Sequence, residues 1–176
     1  MDEELLDTFD ENNEATGISR MRKHVHADGD WHRTAHIYVI NKDGQYLVHL
    51  RSSHKDHSPD CWSARFGGHV ISGMSYEQGA VNELREEIGL DISPDDLIEG
   101  FVYRYENGLN REHPKVFFYR YDGDLKTLSF TDDEVVKVRW LTAEAIERGM
   151  IEDPNSWSGK PERLCEVDAL RKKLCN

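Results

Sequence analysis

The chain has 176 residues, of which 38% are hydrophobic and 10% aromatic, and its formal net charge is −12 at pH 7. This length suits one domain over residues 1–176, and this composition excludes global disorder. The negative charge excludes a duplex nucleic acid as partner, and no apolar stretch reaches the roughly 18 residues of a membrane span.

Residues 1–31 form a polar and acidic N-terminal extension. Within it, Leu5, Leu6 and Phe9 are followed by the turn-rich residues 10–13. Apolar residues beside such a turn are typical of a β-hairpin. We therefore predict a short hairpin here and not a separate domain.

The core begins with two strands joined by a tight turn. Residues 34–40 are rich in β-branched and aromatic side chains, residues 41–44 read Asn-Lys-Asp-Gly, and residues 46–50 are again mainly apolar. This pattern predicts a strand, a hairpin turn and a returning strand.

A third strand and the best-defined helix follow a polar loop. Residues 62–70 predict a strand that runs into paired glycines, and residues 76–88 predict a helix. Ser75 is placed to cap the helix, Gln78 to complete a capping box, and Gly89 to end the helix in a left-handed conformation.

The rest of the chain predicts further strands and then two helices. The strands are expected at residues 98–105, 115–121 and 135–140, and the helices at 142–148 and 162–174. This order predicts α+β or α/β/α layering, with a core over residues 34–148 and a C-terminal helix within 161–176.

Three carboxylates share one side of the predicted helix. Glu83, Glu86 and Glu87 stand at positions i, i+3 and i+4, which places them within an arc of about 100°. On an arbitrary helix such a group is usually a solvated acidic face. Here a glycine-rich loop, residues 67–73, precedes the helix, and backbone carbonyls beside carboxylates form an oxygen cage suited to hard cations.

Residues 68–90 resemble the Nudix box, whose pattern is G-x5-E-x7-R-E-U-x-E-E-x-G-U, where U is aliphatic. The positions that match in register are Gly68, Glu83, Leu84, Glu86, Glu87, Gly89 and Leu90. Two positions depart from the pattern, because Met74 stands for the first glutamate and Asn82 for the arginine. The family's arginine usually orients the loop and the catalytic glutamates, so these departures are compatible with a repacked loop, an altered pH–rate profile, reduced activity or a domain that binds without cleaving.

The resemblance implies a Nudix-like α/β/α sandwich with a mixed β-sheet and an N-terminal hairpin extension. It also implies that Glu83, Glu86, Glu87 and the Gly67 carbonyl hold Mg²⁺, or Mn²⁺, against a small-molecule diphosphate substrate. Glu83 is the expected general base or water-positioning group. An enzyme that hydrolyses a diphosphate linkage is therefore the expected function.

Residues outside the box are candidates for further contacts. Arg51 and Lys55 could hold the distal phosphate, although ordinary surface charge is an equal alternative for each. Another metal ligand is expected among the acidic residues that lie between later strands, which are Glu106, Glu112, Asp132, Asp133 and Glu134. We favour Glu112 as the auxiliary ligand or base, with a plain loop carboxylate as the alternative.

Three of the nine histidines point to a particular branch of the family. The segment from His26 to His32, together with His69 after the box glycine, is similar to the isopentenyl-diphosphate isomerase branch, in which these histidines bind a metal. The isomerase reaction needs a thiol at the position that Gly67 occupies here. The branch resemblance therefore implies a possible second metal site at His26, His32 and His69, but not isomerase activity.

Three functions remain open at this point: a Nudix hydrolase, an isomerase-like enzyme with another acid–base group, and a catalytically weak ligand-binding domain. We favour the hydrolase because the three helix glutamates are intact. A homodimer is compatible with this sequence. The acidic start of the chain and the three cysteines without a CxxC motif predict free thiols in a cytoplasmic protein.

Overall fold

A two-stranded hairpin precedes the main sheet in the computed structural model, which describes residues 4–55, 57–130 and 133–175. Strand β1 (Leu5–Phe9) pairs antiparallel with β2 (Ala15–Met21), which confirms the predicted hairpin. The Asp10 carboxylate closes the turn, because it accepts the backbone N–H groups of Asn12 at 2.8 Å and Glu14 at 2.9 Å.

A short helix that the sequence pattern did not predict follows the hairpin. Helix α1 (Arg22–Asp28) has no side-chain cap at its start and ends at Gly29, whose φ is 73°. Val25 is its buried residue, so the helix shows no amphipathic repeat. Its conformation therefore depends on tertiary contacts, and it carries His26 toward the main sheet.

Within the described ranges the main sheet has seven strands, and its pairing is mixed. The strands are β3 (His32–Ile40), β4 (Tyr46–Arg51), β5 (Trp62–Ser63), β6 (Ile98–Val102), β7 (Tyr105–Asn107), β8 (Asn110–Arg120) and β9 (Val135–Leu141). The order is β5-β4-β3-β8-β6, with β9 on β4 and β7 on β8. Strands β3 and β8 are parallel over nine pairs, and the other pairs are antiparallel.

Strands β3 and β4 separate soon after their turn. Among the described residues, one register pair joins them, Ile40 with Tyr46, and β4 pairs with β9 along its length. Residues 64–70, which we call the glycine loop, fill the resulting gap and lie beside β3. The Ala35 N–H donates to the Gly68 carbonyl at 2.9 Å, and the Phe66 N–H donates to the Ile37 carbonyl at 2.9 Å.

Two predicted strands are shorter in the structure. The expected strand 62–70 forms regular pairing only at β5, and it continues as the glycine loop with isolated bridges to β3. The reason is Gly67, whose φ of 132° is incompatible with strand pairing. The expected strand 98–105 is divided into β6 and β7, with an irregular register between Glu99 and Val102.

Helices cover both faces of the sheet, which confirms the α/β/α sandwich. Helix α2 (Tyr76–Ile88) lies on one face, and α3 (Ala143–Glu152) and α4 (Pro161–Leu174) lie on the other. Alternation along β3 divides the core, because Ile37 packs with α2 while Tyr38 packs with α3 and α4.

The predicted ends of α2 are confirmed residue by residue. The Ser75 hydroxyl accepts the Gln78 N–H at 3.2 Å, and the Gln78 side chain accepts the Ser75 N–H at 2.9 Å. Gly89 ends the helix with a φ of 70°. These local contacts fix where the helix begins, and therefore which side of it presents the glutamates.

Candidate active site

Gly67 brings the glycine loop into contact with strand β3. A Cβ atom at this position would lie 1.9 Å from the carbonyl oxygen of Ala35. Because that oxygen belongs to the backbone of a central strand, it cannot move away as a flexible side chain could. Together with the φ of 132°, this contact restricts the position to glycine.

Gly68, the first residue of the box, makes room for a carboxylate of α2. A Cβ atom on Gly68 would lie 2.5 Å from Oε1 of Glu83. Glu87, which is only 2% exposed, accepts the backbone N–H of Gly67 at 3.1 Å through Oε2. The two glycines therefore allow the loop backbone to lie directly against two of the helix glutamates.

We call Glu83, Glu86 and Glu87 the carboxylate arc, and the negative charges of these three side chains repel one another. Burial raises the pKa of Glu83 well above its ordinary value, and the charges of Glu87, Glu86 and Glu134 raise it further. A carboxylate in this setting is stabilised by a proton or by a cation. The donors are oxygen atoms in a recess that a side chain on Gly68 would fill, so the residues fit a hard divalent cation.

Arg51 and Lys55 already have partners near the arc. The Arg51 guanidinium donates to the backbone carbonyl oxygens of His57 at 2.8 Å and Ser58 at 3.2 Å. Lys55 forms an ion pair with Glu134. Arg51 thus holds the backbone at His57 and Ser58 in place, and contact of either cation with a phosphate stays a prediction.

The acidic candidates from the later strands occupy different places. The charge of Glu134 acts on Glu83, whereas that of Glu112 acts on His26 and His32. Asp132 lies outside the described residues, and Asp133 is exposed. Glu134 is therefore the acidic residue beside the carboxylate arc, and Glu112 lies beside the histidines.

The three histidines of the isomerase-like pattern come together in space, and we call them the histidine cluster. In the described part of the chain, His26, His32 and His69 are the group of potential ligands whose ligand atoms all lie within 4.8 Å of one another. The Nε2 atoms of His26 and His69 are 3.1 Å apart. The glutamates of α2 do not form a group of this kind among the described residues.

The protonation states in the histidine cluster suit metal coordination. Burial lowers the pKa of His26 to about 4, and burial also lowers the pKa values of His32 and His69. Nδ1 of His32 lies 3.0 Å from the Asp30 carbonyl oxygen, while its buried Nε2 has no hydrogen-bond partner among the residues that the structure describes. A proton on Nδ1 leaves the Nε2 lone pair available as a ligand.

Glu112 lies beside the histidine cluster. It lies opposite His32 in the parallel register of β3 and β8, and its carboxylate accepts the Asn110 side-chain amide at 2.9 Å. The Thr34 hydroxyl is 3.4 Å from the other carboxylate oxygen. The sequence-based preference for Glu112 as a ligand therefore concerns the histidine cluster and not the carboxylate arc.

One group of polar residues was missed by sequence reasoning. Nδ1 of the buried His36 lies 3.0 Å from the Tyr103 hydroxyl and 3.4 Å from Nη1 of Arg65. His36 and Tyr103 are 67 positions apart, and no spacing rule joins them to Arg65. Only the pairing of distant strands and the course of the glycine loop bring the three residues together.

Comparison with known proteins identifies the family. The NUDIX domain model matches residues 30–161. An uncharacterised Nudix hydrolase of Clostridium acetobutylicum is 34% identical over 155 residues, covering 84% of this chain and 74% of that protein. The isopentenyl-diphosphate Delta-isomerase of Escherichia coli O1:K1 is 32% identical over 154 residues, covering 84% of this chain and 82% of that enzyme.

The solved structures agree with this result at the level of the fold. The crystal structure of DR0079 from Deinococcus radiodurans has a TM-score of 0.70 and 22% identity, and covers 98% of this chain and 100% of that chain. The chain belongs to the Nudix hydrolase family, and the isomerases are a related branch. None of the helices in the described ranges has the length and apolar character of a membrane crossing.

Proposed function

We propose that this Nudix enzyme is a Mg²⁺-dependent hydrolase that cleaves a diphosphate linkage in a small organic molecule, such as a nucleoside diphosphate derivative. The observation that carries the proposal is the approach of Glu83 and Glu87 to the backbone of Gly67 and Gly68. That approach creates an oxygen-lined recess in which negative charge is concentrated.

Each residue of the recess has a role in this proposal. Glu83, Glu86, Glu87 and the Gly67 carbonyl hold Mg²⁺, or Mn²⁺ in its place. The bound cation would neutralise charge on the diphosphate and increase the acidity of the attacking water. Glu83 accepts a proton from that water or orients it, because charge repulsion and burial already raise its proton affinity.

The substrate is held partly by cations of the 51–55 segment. Arg51 and Lys55 come from the end of β4 and the loop that follows it, on the side of the carboxylate arc. Lys55 exchanges its ion pair with Glu134 for a phosphate oxygen when substrate binds. The unsatisfied buried Nε2 of His32 supports a second metal at His26, His32 and His69, with Glu112 as an auxiliary ligand or base.

The isomerase-like alternative receives no support from the glycine loop. A thiol at position 67 would require a Cβ atom where the Ala35 carbonyl oxygen lies. The weak ligand-binding alternative rests on Met74 and Asn82, which lie at the start of α2 and in its middle and leave the three glutamates in place.

The experiment that tests the hydrolase is a screen of small diphosphate compounds in the presence of Mg²⁺. Release of inorganic phosphate is followed with and without an added phosphatase, so that phosphate and phosphomonoester products are distinguished. We expect turnover of at least one compound and its loss when EDTA replaces Mg²⁺. Turnover that persists in EDTA would refute the metal dependence.

A further inference from the structure

Arg65, His36 and Tyr103 form a polar group outside both metal-binding clusters. We call it the arginine–tyrosine cluster. His36 extends from β3, Tyr103 follows β6, and Arg65 belongs to the glycine loop. Tyr103 packs against the core of the α3–α4 face. The cluster therefore lies across the sheet from the hydrophobic face of α2.

Hydrogen-bond donors exceed acceptors in this cluster. The Nδ1 atom of His36 has one lone pair, yet the Tyr103 hydroxyl and Nη1 of Arg65 both lie within 3.4 Å of it. A guanidinium has five N–H donors, and Arg65 has no carboxylate partner among the residues that the structure describes. Donors that are half-buried in this way require an acceptor from solvent or from a ligand.

A second arginine lies beside Tyr103. The Arg163 guanidinium of α4 lies 3.7 Å from the ring centre of Tyr103 and pairs with Glu166 on the same helix. Burial and the charges of Arg65 and Arg163 keep the pKa of His36 well below its ordinary value, so His36 is neutral. Because His36 is neutral and Arg163 is paired with Glu166, the net positive charge of the cluster comes from Arg65.

Arg65 lies near the proposed catalytic recess, because the charges of Arg65 and of Glu87 both act on Arg51. Arg65 precedes Gly67 by two residues, and Phe66 between them exchanges two backbone hydrogen bonds of 2.9 Å with Ile37. Arg65 is thus held by a rigid segment. Glu112 is the acidic group whose charge reaches Tyr103.

We infer that Arg65 and Tyr103 bind an oxyanion of the substrate, a phosphate or a carboxylate. Hydrocarbon has no acceptor to offer these donors, so the group that contacts them is a phosphate or a carboxylate and not a hydrocarbon chain. The inference rests on the proposed function, because it assigns a ligand group to the same reaction. The oxyanion belongs either to the diphosphate or to a second acidic group.

Calorimetric titration in Mg²⁺ with three probes tests the inference. The probes are inorganic pyrophosphate, isopentenyl diphosphate and 5-phosphoribosyl 1-diphosphate, which carries a second phosphate. The variants are Arg65→Met, which removes the charge, Arg65→Lys, which keeps it, and Arg85→Met as control, because Arg85 is an exposed arginine of α2. We expect Arg65→Met to weaken binding of 5-phosphoribosyl 1-diphosphate at least about tenfold.

The pattern across the probes identifies the oxyanion. Equal weakening of all three probes supports binding of the diphosphate itself, and weakening of 5-phosphoribosyl 1-diphosphate alone supports a second acidic group. In both cases Arg65→Lys should bind more tightly than Arg65→Met, and Arg65→Met should lose part of the salt dependence of binding. Affinities of Arg65→Met within twofold of the wild type for every probe, or no binding of any probe to the wild type, would overturn the inference.

The same titrations separate this inference from the proposed hydrolysis. Continuing heat release after binding reports turnover, whereas the binding constant reports the oxyanion site. Binding that depends on Arg65 without any turnover would support the oxyanion site and count against hydrolysis of these three diphosphates. Unfolding midpoints of all variants show whether a loss of affinity comes from a loss of structure.

Discussion

The side-chain nitrogen of Asn82 lies 3.3 Å from the sulfur of Met74, so the two departures from the Nudix pattern contact each other. The pattern has an arginine and a glutamate at these positions. Met74 packs at the edge of the core below α2, and Arg85 donates to the Asn82 side-chain oxygen at 3.1 Å. The charged arginine and glutamate of the pattern are therefore replaced at one place in the structure by a neutral pair, Asn82 and Met74.

Because Met74 and Asn82 are in contact, we predict that the glutamate and the arginine of the Nudix pattern are tolerated at these positions only when both are introduced. Met74→Glu alone places a carboxylate beside the core and near the carboxylate arc, so it should destabilise the protein. Adding Asn82→Arg should recover stability, with a coupling free energy of about 1 kcal/mol in a double-mutant cycle. Urea unfolding of the wild type, both single variants and the double variant measures this coupling. Simple additivity would mean that the two positions act independently.

The carboxylate arc predicts a large loss of turnover in Glu86→Gln and Glu87→Gln. Each change removes a charge from the proposed cation site, and we expect turnover to fall on the order of 10³-fold. Without divalent ions, Glu86→Gln should stabilise the fold by about 0.2–0.5 kcal/mol, because it relieves repulsion with Glu83. Glu162→Gln on α4 is the matched exposed control. A wild-type rate of turnover in either variant would refute the assignment of the metal site to these glutamates.

The raised pKa of Glu83 predicts how stability depends on pH. The folded state binds a proton on Glu83 more tightly than the unfolded state does, so protonation of Glu83 stabilises the fold. This stabilisation is complete at pH values below 4.5, which is the ordinary pKa of a glutamate. It is lost as pH rises through the higher pKa of the folded protein. In EDTA, unfolding midpoints should fall as pH increases, and Mg²⁺ or Glu83→Gln should flatten the slope. An equal slope in Glu83→Gln would assign the effect to another group.

Gly67 predicts that the isomerase thiol cannot simply be restored. In Gly67→Cys the Cβ atom meets the Ala35 carbonyl oxygen and the backbone is strained, so we expect a loss of about 2 kcal/mol or more. Gly108→Ala is the control, because its φ is also positive but no atom lies within 4 Å of the added carbon. Neither the wild type nor Gly67→Cys should exchange hydrogen from heavy water into isopentenyl diphosphate. Enzyme-dependent exchange would contradict this expectation.

The positions of Glu112 and Glu134 predict separate metal phenotypes. Glu112→Gln should weaken Co²⁺ binding at the histidine cluster by about 10–100-fold, as loss of a supporting carboxylate does at other metal sites. Glu134→Gln should leave Co²⁺ absorbance unchanged and reduce Mg²⁺-dependent turnover. Asp133→Asn is the control for the same loop. If Asp133→Asn alone reduces turnover, the auxiliary residue is Asp133 and neither Glu112 nor Glu134.

Sequence by itself determined the parts of this protein that depend on contacts between near neighbours. The ends of α2 follow from Ser75, Gln78 and Gly89, because a capping box and a glycine terminus act within four residues. The arc of Glu83, Glu86 and Glu87 follows from helical geometry alone. The N-terminal hairpin was equally predictable from its turn.

Tertiary structure decided everything that depends on residues far apart in the chain. The separation of β3 from β4 opens the gap that the glycine loop fills, and no local pattern marks it. Helix α1 is too short to be stable alone, so packing positions His26 beside His32 and His69. The parallel register of β3 and β8 likewise places Glu112 beside the histidines and not beside the helix glutamates. The reason is that strand pairing brings together segments that are about eighty residues apart in the sequence.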